Sequence, residues 1–356
     1  MMFDPRWGQV ADILINYSTR AKSGEKVLIT MMEVETFPLA RAVHAQAIRV
    51  GALPHVEFQS AYLERDLMLY GSKAQIDWIP ELQARGLEWA DVYIGLRGAR
   101  NPHESAGIPA EKIAAHRRSM GHISSMRTDL TRWLLVRVPN ESLAQQAEMS
   151  CDEMTDFFFG AILRDWAAES RRYHDLRTVF QAAETVRIIG ADTDLAFSTR
   201  GRTYAVGEGR RNMPDGEVFT APVDNSATGH IAFEFPAIYS GQRVEGIRLE
   251  FVEGEVVSAY AKTNEALLRQ ILEIEGAKRL GEFGIGLNFG ITRFCYDILY
   301  DEKIGGTVHL ALGRAYTNCG GVNKSPIHWD IIKDLRQEGA IYLDNRCVFE
   351  KGRFLV

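Results

Sequence analysis

The segment Asp301–Asp330 reads DEKIGGTVHLALGRAYTNCGGVNKSPIHWD. It combines two histidines and several carboxylates with a glycine pair. Gly305 and Gly306 form a turn signal, and the residues after them, Thr307–Leu312, are predicted to form a strand. Side chains alternate between the two faces of a strand, so His309 falls on a face of small and polar residues while the other face is apolar. We therefore expect a site on one side of this strand and the hydrophobic core on the other.

The end of the same stretch has a similar pattern. Pro326 restricts Ser325 to extended geometry, so Ser325–Trp329 is predicted to be extended. On an extended chain His328 and Asp330 point in the same direction, and an imidazole beside a carboxylate can bind a divalent cation. A His-x-Asp pair is also common on protein surfaces, so its meaning depends on the motifs around it.

The composition places the chain among ordinary globular proteins. It has 356 residues, of which 46% are hydrophobic and 25% charged, and a formal net charge of −6. This length accommodates two domains, and the negative charge argues against a nucleic-acid surface. We also expect no membrane span, because the apolar clusters are too short, and no secretory leader. The four cysteines are far apart and lack a CxxC motif, which favours free thiols and a cytoplasmic location.

Two domains are predicted. Strand and helix patterns alternate through the first half, which indicates an α/β fold with a parallel sheet covered by helices. No Gly-x-Gly-x-x-Gly follows these strands, so a dinucleotide site is disfavoured there. From Thr185 onward strands dominate. We therefore predict an N-terminal α/β domain over residues 1–184 and a mixed α+β metal-binding domain over residues 185–356.

Two acidic residues in the second half have unusual surroundings. Glu217 follows a turn and begins a strand on the same face as two apolar residues, which suggests a half-buried strand end or a cation partner. Glu282 lies in the glycine-rich segment Gly281–Asn288. That segment is either the turn that ends a helix over Asn264–Leu280 or a place where the backbone approaches another group closely.

Five side chains form a candidate metal set: Glu217, Glu282, His309, His328 and Asp330. Three carboxylates and two imidazoles are a typical set for two divalent ions that share a bridging carboxylate and a bridging water. Oxygen and nitrogen ligands without thiolate suit Zn, Co or Mn. Spacing alone does not decide whether the five side chains converge.

Several segments resemble the signature segments of the M29 metallo-aminopeptidases, the family of aminopeptidases T and S. They are ADTDL (191–195), NMPDGEVFTAP (212–222), GEFGIGLN (281–288), DEKIGGTVHLALG (301–313) and SPIHWD (325–330). The match is dense from about Thr185 to the C-terminus. The resemblance implies a homodimer that releases N-terminal residues from short peptides. It also implies that all five residues of the set bind metal and that Tyr316 lies beside the metals.

The chemistry expected of such a site assigns further roles. Two cations would activate a water molecule, and a carboxylate would accept its proton and pass it to the leaving amine. Glu217 or Glu282 could do this only if it is not fully engaged as a metal ligand. Tyr316 would hold the oxyanion or would only pack against its neighbours. Glu302 is a possible carboxylate behind the ligands.

Two alternatives remain open at this stage. Ring-cleaving dihydroxypyridine dioxygenases resemble the same superfamily, keep the terminal His-x-Asp, and use one non-heme Fe(II). That branch carries a histidine in place of Glu282 and lacks the acid at Glu217, so hydrolysis is favoured here. The other alternative is a dimeric homologue without catalytic activity, since fold does not guarantee function.

Overall fold

The computed structural model describes residues 4–356. A π-helical segment, Ile13–Thr19, continues the first helix. In chain order the helices are α1 (Arg6–Asp12), α2 (Phe37–Arg49), α3 (Ala61–Tyr70), α4 (Lys73–Asp77), α5 (Glu81–Trp89), α6 (Ala110–Leu130), α7 (Glu141–Gln146), α8 (Cys151–Ile162), α9 (Trp166–Gln181), α10 (Glu265–Leu272) and α11 (Ile298–Asp301). None of the helices in this part of the chain is long and apolar enough to cross a lipid bilayer.

The strands are, in order, β1 (Lys26–Met32), β2 (Leu53–Gln59), β3 (Val92–Arg97), β4 (Arg132–Arg137), β5 (Thr185–Gly190), β6 (Thr193–Ser198), β7 (Ala205–Gly207), β8 (Asn212–Met213), β9 (Glu217–Thr220), β10 (Thr228–Ala232), β11 (Ala237–Tyr239), β12 (Gln242–Val244), β13 (Arg248–Val252), β14 (Glu255–Tyr260), β15 (Leu280–Gly286), β16 (Thr307–Gly313), β17 (His328–Asp334), β18 (Gly339–Leu343), β19 (Arg346–Glu350) and β20 (Arg353–Phe354).

The chain divides into two compact units. The first unit contains the described residues up to Arg164 together with Gly209–Pro214, and the second contains Asp165–Glu208 and Asp215–Val356. Helix α9 thus belongs to the second unit, whereas the predicted boundary near residue 184 places it in the first half. As a domain boundary, residue 184 stays a prediction.

The first unit is built on a parallel sheet with the strand order β2-β1-β3-β4-β8. Helices α2 and α5 pack against β1, and α6 packs against β4. Its central strands are apolar almost throughout because helices cover the sheet. The buried residues include Val27, Ile29, Val92, Ile94, Leu134 and Val136. The predicted α/β class is confirmed.

Two helices in the first unit are longer than their sequence patterns predict. Gly86 is the type of residue at which a helix commonly ends, but α5 continues through it to Trp89. In α6 the sequence predicts a helix only over residues 111–120, but the helix runs to Leu130. Much of α6 is exposed and polar, so the apolar periodicity that would reveal its length is weak.

The second unit contains two large sheets. One has eight strands in the order β14-β13-β10-β6-β5-β18-β19-β20, and the other has five in the order β17-β16-β15-β9-β7. Strands β13 and β14 form an antiparallel hairpin. Its turn residues Glu253 and Gly254 both have positive φ, 49° and 82°.

The segment Asn264–Leu280 is predicted to be one helix, and this prediction is wrong. Helix α10 ends at Leu272, and turns carry the chain to β15. Asn264 holds the N-cap position with φ 58°, but its side chain donates a hydrogen bond to the Arg243 carbonyl 2.5 Å away instead of capping the helix. The glycine-rich Gly281–Asn288 is accordingly not a turn that ends a helix, because Leu280–Gly286 forms a buried central strand.

Candidate metal centre

All five candidate ligands lie on one face of the five-stranded antiparallel sheet of the second unit. Glu217 pairs with Gly286, and Gly284 pairs with His309. Ala311 pairs with Glu282 on one side and with Asp330 on the other. Directly opposed residues project to the same face, so the face predicted for His309 also carries the other ligand candidates. The opposite face is apolar and buried, with Phe283, Val308, Leu310 and Ile331.

Small residues between the charged ones make room for them. A Cβ at Gly284 would lie 2.1 Å from Nε2 of His309, far inside van der Waals contact. The imidazole therefore lies directly over the backbone of β15. The close backbone approach inferred from the glycine pattern is thus present, and the group that approaches is a site histidine.

The ligand atoms gather within hydrogen-bonding and metal-binding range. His309 Nε2 is 3.5 Å from Glu217 Oε2 and 3.5 Å from Glu282 Oε1. His328 Nε2 is 3.0 Å from Glu282 Oε2 and 3.4 Å from Asp330 Oδ1. Glu282 is thus the common neighbour of both histidines, and it is only 4% exposed.

Three overlapping triads follow from these positions, each with its ligand atoms within 4.8 Å of one another. Glu217, Glu282 and His309 form one triad, and Glu282, His328 and Asp330 form a second. The third contains Glu302, His309 and Asp330. Because Glu282 belongs to the first two, the arrangement has two adjoining ligand sets with one shared carboxylate.

Backbone carbonyls orient both imidazoles. His309 Nδ1 donates to the carbonyl oxygen of Glu302 at 3.0 Å, and His328 Nδ1 donates to that of Arg314 at 2.7 Å. A carbonyl accepts only from N–H, so each ring keeps its proton on Nδ1 and presents Nε2 to the carboxylates. This is the tautomer that a metal-binding histidine needs.

The charges of the cluster are not balanced by the chain itself. Burial raises the pKa of Glu217 well above its ordinary value, and Lys303 offsets only part of that rise. Burial would lower the pKa of His309, but the hydrogen bond and charge of Glu282 outweigh it and raise the pKa to about 9. In the same way Asp330 and Glu282 overcome burial and raise the pKa of His328 to about 11. The carboxylates thus favour added positive charge, which protons or metal ions can supply.

The donor set fits divalent metal ions. Glu217 Oε2 and Asp330 Oδ1 are buried and have no hydrogen-bond partner among the described residues. A buried carboxylate oxygen without a partner is costly, and a coordinated cation removes that cost. Carboxylate oxygens and imidazole nitrogens without thiolate suit Zn, Co or Mn. Cys319, which lies between the two histidines in the sequence, is buried. Burial raises the pKa of its thiol to about 11, which disfavours the thiolate form that would bind a metal.

Lys303 is a functional candidate that the sequence analysis missed. Its side chain is fully buried, with Nζ 3.5 Å from Glu217 Oε1 and in contact with the Glu302 carboxylate. Burial acts to lower the pKa of Lys303, but the carboxylates of Glu217 and Glu302 outweigh it and raise the pKa above its usual range. In sequence, Asp301-Glu302-Lys303 resembles an exposed charged turn, and nothing local reveals its burial.

Tyr316 lies beside the cluster but outside the sheet. It follows β16, and its ring is 5.2 Å from the ring of His328 and 5.4 Å from that of Phe219. The residue is 43% exposed, so one side of the ring faces solvent. Burial of the hydroxyl region and the nearby carboxylates raise the pKa of Tyr316, so the hydroxyl stays protonated and can donate a hydrogen bond.

Comparison with known proteins agrees with this geometry. The family model described as "Thermophilic metalloprotease (M29)" matches residues 3–354. Aminopeptidase T of Thermus thermophilus is 25% identical, with 98% of each chain covered.

Two solved structures share the fold. Wild-type AmpT from Thermus thermophilus superposes with a TM-score of 0.86 at 23% identity and 99% coverage of both chains. A 2,5-dihydroxypyridine dioxygenase from Pseudomonas putida KT2440 superposes with a TM-score of 0.64 at 17% identity, covering 98% of this chain and 97% of that one. The fold is therefore common to hydrolytic and oxygenase proteins, and it does not by itself distinguish them.

The family model distinguishes them, because it covers nearly the whole chain and includes all five segments from which the resemblance was inferred. The inferred resemblance is confirmed: the chain belongs to the M29 family of metalloproteases.

Proposed function

We propose that this protein is a metal-dependent aminopeptidase that removes N-terminal residues from short peptides at a centre of two divalent ions. The ligands in this proposal are Glu217, Glu282, His309, His328 and Asp330, and the ions are Zn, Co or Mn. Its main support is the position of Glu282 between two ligand sets, within 3.5 Å of one histidine and 3.0 Å of the other. Membership of a metalloprotease family and the name of the related aminopeptidase support the hydrolytic class. The homodimer and the cytoplasmic location stay predictions.

When bound, two divalent ions lower the pKa of a water molecule and polarise the scissile carbonyl. The residues of the chain then hold and move protons. An oxygen of Glu217 or Glu282 that is not engaged as a ligand accepts the proton of the attacking water and delivers it to the nitrogen of the leaving peptide. The buried surroundings of both carboxylates strengthen these interactions by excluding competing water.

Substrate binding also follows from the charge of the site. A surplus of carboxylates favours the free ammonium group of a peptide N-terminus, which explains removal of single N-terminal residues. Tyr316, held against the His328 ring and protonated, donates its hydroxyl to the oxyanion that forms on the scissile carbonyl.

Metal exchange tests the proposal. Protein stripped with a chelator is reloaded with Zn, Co, Mn or Fe(II), and metal content is measured together with hydrolysis of short peptides and of their N-acetylated forms. We expect two Zn, Co or Mn ions per chain and cleavage of only the free-amine peptides. One iron per chain with oxygen consumption and no hydrolysis would refute the proposal in favour of a dioxygenase.

Glu282→Gln keeps the shape of the side chain but removes the shared charge. We expect at least about a thousandfold loss of kcat/KM, the size that corresponds to about 4 kcal/mol of lost transition-state stabilisation. Glu250→Gln, which changes an exposed carboxylate on β13, serves as the control. Circular dichroism confirms that both variants are folded. Normal hydrolysis by Glu282→Gln would remove the central support for a dinuclear site.

A further inference from the structure

The first unit contains a cavity that runs along one face of its parallel sheet, from Leu28 and Tyr93 in the first half of their strands to the carboxyl ends. Its volume is about 430 Å³, within the range of small-molecule sites. The lining includes the last residue of each of four neighbouring strands: Met32, Gln59, Arg97 and Arg137. Ligands of open parallel sheets bind at this carboxyl edge.

The strand order places the cavity at a reversal of the chain path. From β1 the chain moves to β2 on one side, then crosses to β3 on the other side and continues to β4. The connections that leave β1 and β3 therefore diverge, and a crevice opens between them, which is where doubly wound sheets bind their ligands. A glycine-rich phosphate loop is absent from the sequence of this half, so the site is not built for a dinucleotide.

Negatively and positively charged side chains line different sides of the cavity. Glu57 on β2 lies at one side, and α3 adds a second carboxylate, Glu64, to the lining. Three guanidinium groups lie at the other side, from β3, β4 and α6: Arg97, Arg137 and Arg127. Strands β2 and β3 are separated by β1, so their backbones are about 10 Å apart at the usual strand spacing. The carboxylates would repel an anion and the arginines would repel a cation, whereas a molecule with one charge of each sign is attracted at both sides.

Hydrophobic side chains form the surface between the charged groups. Leu28, Leu87 and Ile123 line the cavity, and the hydroxyls of Thr30 and Tyr93 are joined by a 2.7 Å hydrogen bond. Gln83 Oε1 and Arg127 Nε are buried there without a hydrogen-bond partner in the described part of the chain. Buried polar atoms of this kind are rare without a partner such as water or a ligand.

We propose that this cavity binds a small zwitterion, a free α-amino acid or dipeptide with an aliphatic side chain. Its carboxylate contacts Arg127, its ammonium group contacts Glu57, and its side chain packs on Leu28 and Leu87. Burial raises the pKa of Glu64, and a ligand ammonium group beside it would favour the ionised form. The site lies wholly within the first unit, so the inference does not depend on the proposed peptidase activity.

Methionine methyl groups provide a local test, because Met32 and Met120 both line the cavity. The full-length metal-free protein is labelled with [methyl-13C]methionine and titrated with L-leucine, with leucinamide, with 4-methylpentanoate and with inorganic phosphate. We expect L-leucine to shift the Met32 and Met120 signals saturably while those of the buried Met154 and Met213 stay in place. The probes with one charge should bind about tenfold more weakly or worse, since each lacks one charged contact.

Charge variants assign the two ends of the ligand. Arg127→Gln should weaken leucine binding about tenfold and leave leucinamide binding unchanged, and Glu57→Gln should give the mirror result with 4-methylpentanoate. Arg117→Gln, an exposed site on the same helix, is the matched control. If Arg127→Gln does not fold, the Glu57→Gln arm decides alone.

Two results would overturn the inference. One is the absence of any saturable shift of Met32 and Met120 with L-leucine or a leucine dipeptide. The other is equal binding of leucine by the wild type and by Glu57→Gln. Neither result bears on peptide hydrolysis in the second unit, which is measured separately.

Discussion

The two units each contain a five-stranded sheet, and the sheets carry charge in different places. In the parallel sheet two of the arginines that line the cavity, Arg97 and Arg137, are the last residues of their strands, while the interiors of the central strands β1, β3 and β4 are mostly apolar. In the antiparallel sheet Glu282, His309 and Asp330 lie within or near the start of strands and face one another across them.

The difference follows from how each sheet is covered. Helices cover most of both faces of a parallel sheet, so its ligands commonly bind toward the strand ends. In the antiparallel sheet, glycine and alanine between the charged positions create the space that the strand ends provide in the first unit. The buried carboxylates of this site need a compensating charge, and Lys303 is the cation that the chain itself supplies, beside Glu217 at the start of β9 and Glu302 after α11.

Removing Lys303 should therefore have the largest effect on the antiparallel sheet. Lys303→Met keeps the length of the side chain but leaves Glu217 and Glu302 without their buried cation. We expect the metal-free protein to lose about 3–5 kcal/mol of stability, the usual consequence of breaking one side of a buried ion pair. Metal-loaded protein should lose less, because bound cations replace part of the missing charge.

Urea denaturation of metal-free and metal-loaded samples measures both quantities. Lys324→Met, an exposed lysine in the same region, is the matched control and should change stability little. An equal effect of the two substitutions on metal-free protein would mean that Lys303 does not balance the charges of Glu217 and Glu302.

The case of Lys303 also shows where sequence reasoning ends. Regular alternation predicts β16 and the face on which His309 lies, and the strand–helix rhythm predicts the parallel sheet, because both patterns are local. Asp301 is buried with the Cys295 N–H as its hydrogen-bond donor, and Lys303 is buried beside Glu217. Neither partner can be recognised from the sequence around Asp301 and Lys303. A lysine that is buried through an ion pair leaves no hydrophobic pattern in the sequence, so its burial cannot be predicted from periodicity.

Glycine patterns are ambiguous for the same reason. Gly281–Asn288 has the composition of a turn, and only the neighbouring strand shows that the missing side chains make room for His309. The candidate ligands themselves come from family resemblance and residue type. Their convergence depends on pairing between strands that are far apart in sequence, from β9 with Glu217 to β17 with Asp330.

A substitution at Gly284 tests whether that space matters. In Gly284→Ala the new methyl group would overlap the His309 ring, so the imidazole or the strand must move. Overpacking of this kind costs about 1–3 kcal/mol. We expect weaker metal binding as well, measured by titration calorimetry alongside urea denaturation.

The first unit offers the contrasting substitution. Gly121 lies in α6, and no atom lies within 4 Å of the place that an added Cβ would occupy. Gly121→Ala should stabilise the protein by about 0.5–1 kcal/mol, because alanine favours helix. If Gly284→Ala were as well tolerated as Gly121→Ala, the glycines of β15 would not be there to accommodate the site.

Tyr316 gives the smallest expected effect and the finest test of the contrast, because it is a site residue of the second unit that follows a strand end. Tyr316→Phe keeps the ring on His328 and Phe219, so stability should change by less than about 0.5 kcal/mol. If its hydroxyl holds the oxyanion, kcat should fall about tenfold to a hundredfold with little change in KM. Tyr239→Phe, whose ring packs on Trp329 on the opposite face of β17, is the control. A rise in KM with unchanged kcat would assign Tyr316 to substrate packing, and catalysis in this unit would then depend on residues of the sheet itself.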